Sequence, residues 1–189
     1  MKYDLTKVPT RGAQRTLDAF SCTLFTLLSC KSFEEITVNM ICDYCNYPRA
    51  TFYNYFDDKY DLLDYFWYNI GKQIRIEEHP LLKAEESLYI FFDRIYELAK
   101  NNESQVKQVL RFNSGECYFL SHLKFYLKNQ MRKIFDQCSG TIQYPIPYEI
   151  VSDHYSNTIL LVLEWHFGNG NDCSKEQAHR YLKFLIGPF

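Results

Sequence analysis

Turn-forming residues are scarce in this sequence of 189 residues, which holds seven glycines and six prolines, about 7% where average usage is roughly 12%. That shortage disfavours β-sandwiches and barrels, which need many turns, and favours long helices. No uncharged apolar run approaches the roughly 18 residues of a membrane span. The opening MKYDLTKVPTRGAQR lacks the apolar stretch of a signal peptide, so no membrane partner and a cytoplasmic location are expected. An excess of one charge is also missing: 21 basic and 23 acidic residues leave a net charge of −2, and bulk electrostatics recommend neither nucleic acid nor a membrane surface. The seven cysteines, at positions 22, 30, 42, 45, 117, 138 and 173, are odd in number and scattered, unlike a secreted disulfide framework. Reduced thiols are expected.

The residue sets that carry chemistry are thin as well. Cys42 and Cys45 form a C-x-x-C, but no second ligand pair follows at zinc-binding distance; packing and thiol sensing remain the two readings of this pair. His122, His154, His166 and His179 fall on separate expected helices or faces, without the i, i+4 pairing of a helical metal site. No glycine loop for phosphates and no nucleophile elbow occurs. The expectation is therefore no enzyme, no metal and no cofactor.

What the sequence has is apolar periodicity, in a chain that is 47% apolar and 17% aromatic. Leu17, Phe20, Leu24, Leu27 and Leu28 form one helical stripe between about Thr10 and Lys31. Thr37 suits the N-cap of a short helix over 38–45, with Val38, Ile41 and Cys45 on one face. Asn46–Tyr47–Pro48 is a turn, since Asn tolerates left-handed geometry and Pro pre-sets the start of the next helix. That helix is expected to run from Pro48 to Phe56, with Phe52 and Phe56 inward, and Asp57 or Asp58 then caps a helix reaching about Glu78. Further helices are expected near 81–101, 103–112, 115–138, 148–168 and 174–186, with a loop holding Pro145 and Pro147 before the last two. The fold class is all-α: a helix-turn-helix head over 1–58, a connecting helix over 59–79 and a helical bundle over 80–189.

Two short helices joined by a three-residue turn are the arrangement in which the second helix enters the DNA major groove. Its outward residues would be Arg49, Ala50, Thr51, Tyr53, Asn54 and Tyr55. Arg pairs bidentately with guanine, Asn with adenine, and the methyls of Thr or Ala meet thymine. Lys2, Lys7, Arg11 and Arg15 against Asp4 make a small basic arm, offset over residues 1–60 by seven acidic against seven basic residues.

Residues 36–63, ITVNMICDYCNYPRATFYNYFDDKYDLL, resemble the N-terminal DNA-binding region of TetR/AcrR-type transcriptional regulators. The pattern runs through Phe33, Thr37, Ile41, Thr51, Phe52, Tyr53, Tyr55, Phe56, Lys59, Leu62 and Leu63. It covers roughly residues 10–65. Ser32 stands where the family has Gly, and Asn46–Tyr47 replace Gly–Val in the turn. The resemblance implies phosphate contacts from Thr37, Tyr53, Tyr55 and Lys59, with Arg49 and Asn54 as base readers; Tyr55 is equally suited to packing. Neutral donors supply many phosphate contacts, which answers the missing positive charge.

The bundle is rich in aromatics, and the resemblance implies a small-molecule effector there. Tyr89, Phe92, Tyr96, Phe112, Tyr118 and His122 are the candidate contacts, with Arg94, Arg111 and Cys117 as nearby polar groups. Tyr155, Ile159, Val162, Leu163 and His166, then Tyr181, Leu182 and Leu185, make two apolar stripes near the chain end, which the resemblance assigns to a dimer interface. A homodimer implies a palindromic operator in double-stranded DNA. The expected function is a ligand-responsive homodimeric repressor. The alternative is a helical protein–protein interaction module or co-regulator of the same shape without specific DNA binding.

Overall fold

In the computed structural model of the chain, which describes residues 8–81, 84–138 and 146–187, every described element is helical. Helix α1 (Arg11–Leu28) is capped by Thr10, whose hydroxyl accepts from Ala13 N. Helix α2 (Val38–Cys45) is capped by Thr37, which accepts from Met40 N at 3.2 Å. Asn46 ends α2 in the left-handed conformation at φ 56°, where Asn is tolerated because its short polar side chain can bond locally. Helix α3 covers only Arg49–Tyr53, shorter than the expected run to Phe56. Pro48 presets its start, and the chain leaves the helix at Asn54 so that Phe56 can turn into the core.

Asp58 caps α4 (Lys59–Gln73) by accepting from Tyr60 N and Asp61 N. The expected reach to Glu78 is not met. Arg75 turns left-handed at φ 52°, and a 3₁₀ turn follows over Ile76–Leu81. The guanidinium of Arg94 stabilises this ending by donating to the carbonyls of Ile74 and Arg75, at 3.1 and 3.3 Å, and to Glu78 at 2.7 Å. Arg94 is thus a helix-ending device, not a free polar group.

Helices α5 (Ala84–Asn101), α6 (Glu103–Phe112), α7 (Tyr118–Cys138), α8 (Tyr148–Leu163) and α9 (Lys175–Ile186) build the bundle. Between α8 and α9 the chain takes a π turn, Glu164–Gly168. Fully buried His166 pins it: Nδ1–H donates to the Asn171 carbonyl, while Tyr96 reaches His166 Nε2 and donates to the Cys173 carbonyl. Ser174 and Gln177 close α9 with a capping box. The basic arm at Lys2, Asp4 and Lys7 and the loop residue Pro145 lie outside the described residues.

Two apolar cores result. One joins Leu17, Phe20, Leu24, Phe33, Phe52, Phe56 and Leu63 of the head to Val109, Phe119 and Leu120 of α6 and α7. The other holds Phe91, Phe92, Ile159, Val162, Phe167 and Leu182 of the bundle. The head core therefore runs into the bundle without a break at the connecting helix.

Candidate functional site

The outer face of the head is set by what lies behind it. Phe20, Phe52 and Phe56 meet edge to face or tilted at 5.3–6.2 Å, an arrangement aromatic pairs favour. All three rings are inaccessible to solvent. Phe52 and Phe56 hold the turn and α3 down, and Tyr47 packs at 5.4 Å on Phe20. This leaves Thr37, Arg49, Ala50 and Asn54 exposed, with Thr51, Tyr53 and Tyr55 half-buried. Arg49 donates to the Tyr53 hydroxyl at 3.3 Å and lies over its ring, so the best base-reading candidate is held by a residue one turn away. Tyr55 packs near Phe56 at 6.4 Å.

Lys59, expected at a phosphate, is placed differently. Its Nζ donates to the carbonyls of Phe33, Glu34 and Ile36 at 2.8, 3.0 and 2.8 Å, using all three ammonium protons. It also lies over the Phe33 ring at 4.7 Å. A phosphate contact would have to break this clamp, which ties the start of α4 to the loop between α1 and α2.

The same loop is held from the other side by Asn113, a residue the sequence gives no reason to select. Fully buried, Asn113 accepts from Phe33 N at 2.8 Å and donates to the carbonyls of Leu28, Lys31 and Val109. Glu34 adds a third tie by accepting from Tyr118 N at 2.9 Å; that bond, foremost, holds its carboxyl below the ordinary range. Loop 29–36 is thereby fastened to α4, α6 and α7. The only hint in sequence was that Asn113 ends an amphipathic helix.

Cys42 is buried and Cys45 half-buried, and burial pushes both thiols up, which keeps them protonated and poorly nucleophilic. Cys45 Sγ donates to the Ile41 carbonyl. No group of metal-binding side chains occurs among the described residues.

The bundle contains a cavity of about 320 Å³, within the range of small-molecule sites. None of the six expected contacts lines it. Phe92 and Tyr96 are buried in the bundle core, and burial holds the Tyr96 phenol up at about 12. Tyr89 lies against His179, and Phe112 points outward. Tyr118 stacks on Phe33, and His122 stacks on Tyr118 while pairing with Asp64 at 3.1 Å. The expected side chains are on the right helices but on other faces. The walls come instead from Phe25 of α1, Trp67 and Ile70 of α4, Leu98 of α5, Val109 of α6, Leu123 and Tyr126 of α7, and Leu163 and Phe167 beyond. One wall thus belongs to the head itself. Gly71 lies beside it, and a Cβ there would collide with the Tyr126 hydroxyl unless that ring moved.

The expected dimer stripe needs a similar correction. Tyr155, Ile159, Val162, His166 and Leu182 are buried within the subunit, and Leu163 faces the cavity. Their packing is within the subunit. Tyr181 and Leu185 are exposed, and with Ile150, Leu161, Trp165 and Phe184, the last 85% exposed, they give an outward apolar set. Trp165 and Tyr181 touch edge to face at 5.6 Å, so the outward sides of the π turn and α9 adjoin.

A sequence model described as bacterial regulatory proteins, tetR family, matches residues 24–66, the stretch from α1 through α2, the turn and α3 into α4. No curated protein matches the chain. Among solved structures, the fold is similar to a TetR transcriptional regulator from Streptococcus agalactiae 2603V, at 18% identity and TM-score 0.65, over 94% of this chain and 97% of that one. It is also similar to the dihydroxyacetone kinase operon activator DhaS, at 14% identity and TM-score 0.55, over 90% and 92%. The matched segment is the one that builds the helix-turn-helix, so residues 24–66 are similar to the DNA-binding region of the tetR family of bacterial regulatory proteins, and the described helices as a whole follow the fold of a TetR regulator.

Proposed function

We propose that the protein is a homodimeric, ligand-responsive repressor whose two heads read the halves of a palindromic operator. The observation that carries the reading is the exposed set Thr37, Arg49, Ala50 and Asn54 on a head whose buried aromatic core packs against α3. In this reading Arg49 and Asn54 contact base edges, while Thr37, Tyr53 and Tyr55 bond phosphates. The dimer forms through the outward face of Leu161, Trp165, Tyr181, Phe184 and Leu185, because exposed apolar side chains this close together mark an interaction surface. Two-fold symmetry of that contact then sets two half-sites.

An effector in the cavity acts through linkage: it releases DNA only to the extent that it binds the released arrangement more tightly, and a near-complete switch needs a ratio of about 10⁴. The route is short. The cavity wall includes α1, α4 and α6, and Asn113 and Lys59 fasten those three helices to one loop of the head.

Protection of the DNA upstream of the protein's own gene tests the proposal. Two protected half-sites related by a dyad are expected. The balanced charge of the first 60 residues favours the second reading, an interaction module without specific DNA binding; absence of protection at every salt concentration would select it.

A further inference from the structure

We infer that the cavity takes an uncharged, mainly apolar molecule of about ten to twelve non-hydrogen atoms that carries a hydrogen-bond acceptor for the indole N–H of Trp67. This rests on the effector reading above and specifies its ligand. The size follows from the volume, about 320 Å³ against roughly 30 Å³ for each water-sized group. The absence of charge follows from the walls: among the lining residues there is no Lys, Arg or His, and one carboxylate, Glu164, which is half-exposed. An anion would enter without a counter-charge, an arrangement that low-polarity surroundings strongly disfavour. A cation would have Glu164 only where water already solvates it.

The acceptor follows from Trp67. Its ring lines the cavity and is 5% exposed, and its Nε1 is buried with no hydrogen-bond partner among the described residues. Buried donors are almost always paired, and each exception calls for an explanation. Trp67 packs on Phe66, Phe119 and Tyr126 at 4.9–6.2 Å, and none of the three is an acceptor aimed at it. The N–H is covered by its surroundings, so an acceptor reaches it only as the ring shifts with the entering molecule. That shift makes the indole a reporter of binding.

Three probes of ten carbons each separate the classes: 2-decanone, decanoate and decylammonium, titrated into the full-length protein without DNA by calorimetry and by tryptophan fluorescence. The ketone should bind at least tenfold more tightly than either ion. Trp67→Phe should weaken the ketone about tenfold and leave the weaker ions unchanged, and Ala99→Phe, which fills the cavity from α5, should abolish ketone binding while the unfolding midpoint stays within a few degrees. Tightest binding by decylammonium or decanoate would overturn the ligand class and leave the effector reading standing. Ketone binding unaffected by Trp67→Phe would overturn the indole's role. If no probe binds while the protein still protects its operator, the effector reading itself falls and DNA recognition survives.

Discussion

In the head, three of the four helix starts are sealed by a side chain, since Thr10, Thr37 and Asp58 each accept backbone N–H groups while α3 starts at Pro48, and Asn46 supplies the left-handed turn; among the described residues of the bundle only α9, with Ser174 and Gln177, has such a cap. In the bundle, α6 and α8 begin at Asn102 and Pro147 without a side-chain cap, α8 passes into a π turn, and a cavity stands between the two cores. In the proposed reading, one part presents groups to DNA and the other leaves room for a small molecule. The two meet at loop 29–36, where three helices are tied to a single stretch of backbone.

Breaking that junction should have the largest effect. Asn113→Ala strands Phe33 N–H and the Leu28 carbonyl away from water, so chemical denaturation should show a loss of about 3–4 kcal/mol. Lys59→Met removes three charge-assisted bonds and should lower stability by about 2–3 kcal/mol. If Lys59 instead contacted phosphate, the slope of log affinity against log salt would flatten by about 0.9; an unchanged slope is expected.

Arg49→Ala tests the head's outer face. It should reduce discrimination between operator and random DNA by about 1–3 kcal/mol with no change in stability, measured by competition binding. Equal losses on both DNAs would reassign Arg49 to the phosphate backbone.

The distinction between head and bundle also explains what could be read in advance. Caps and turns are decided within four residues, so the boundaries of α2, the turn at Asn46 and the Asp58 cap were all legible. The facing of an apolar helix is decided by its neighbours. Helix α8 carries apolar residues on both sides, and the regular stripe at Tyr155, Ile159 and Val162 is the inward one, while Leu161 and Trp165 on the other side carry the surface. Cavity walls fail for the same reason: they depend on where facing helices do not quite meet. The ties made by Asn113 and Lys59 are not legible in sequence because their partners lie 80 and 26 residues away.

The smallest expected effect belongs to the bundle's surface. Lys100 and Lys107, at 2.8 and 2.7 Å, hold the Glu103 carboxyl down at about 2. A depressed carboxyl contributes stability above its ordinary pKa near 4.5, and that contribution is lost as pH falls toward 2. The groups are solvated, so Glu103→Gln should remove only about 0.5 kcal/mol at pH 7 and less at pH 2, seen in urea unfolding at the two pH values.

The central claim is that the head reads sequence with few net charges. The affinity of the purified protein for its own upstream DNA and for a shuffled copy, each titrated between 50 and 200 mM salt, about the range over which phosphate contacts separate from base contacts, tests it most directly. A ratio of about 10³ or more that persists across the range is expected. Equal affinities for the two DNAs, declining together with salt, would contradict it.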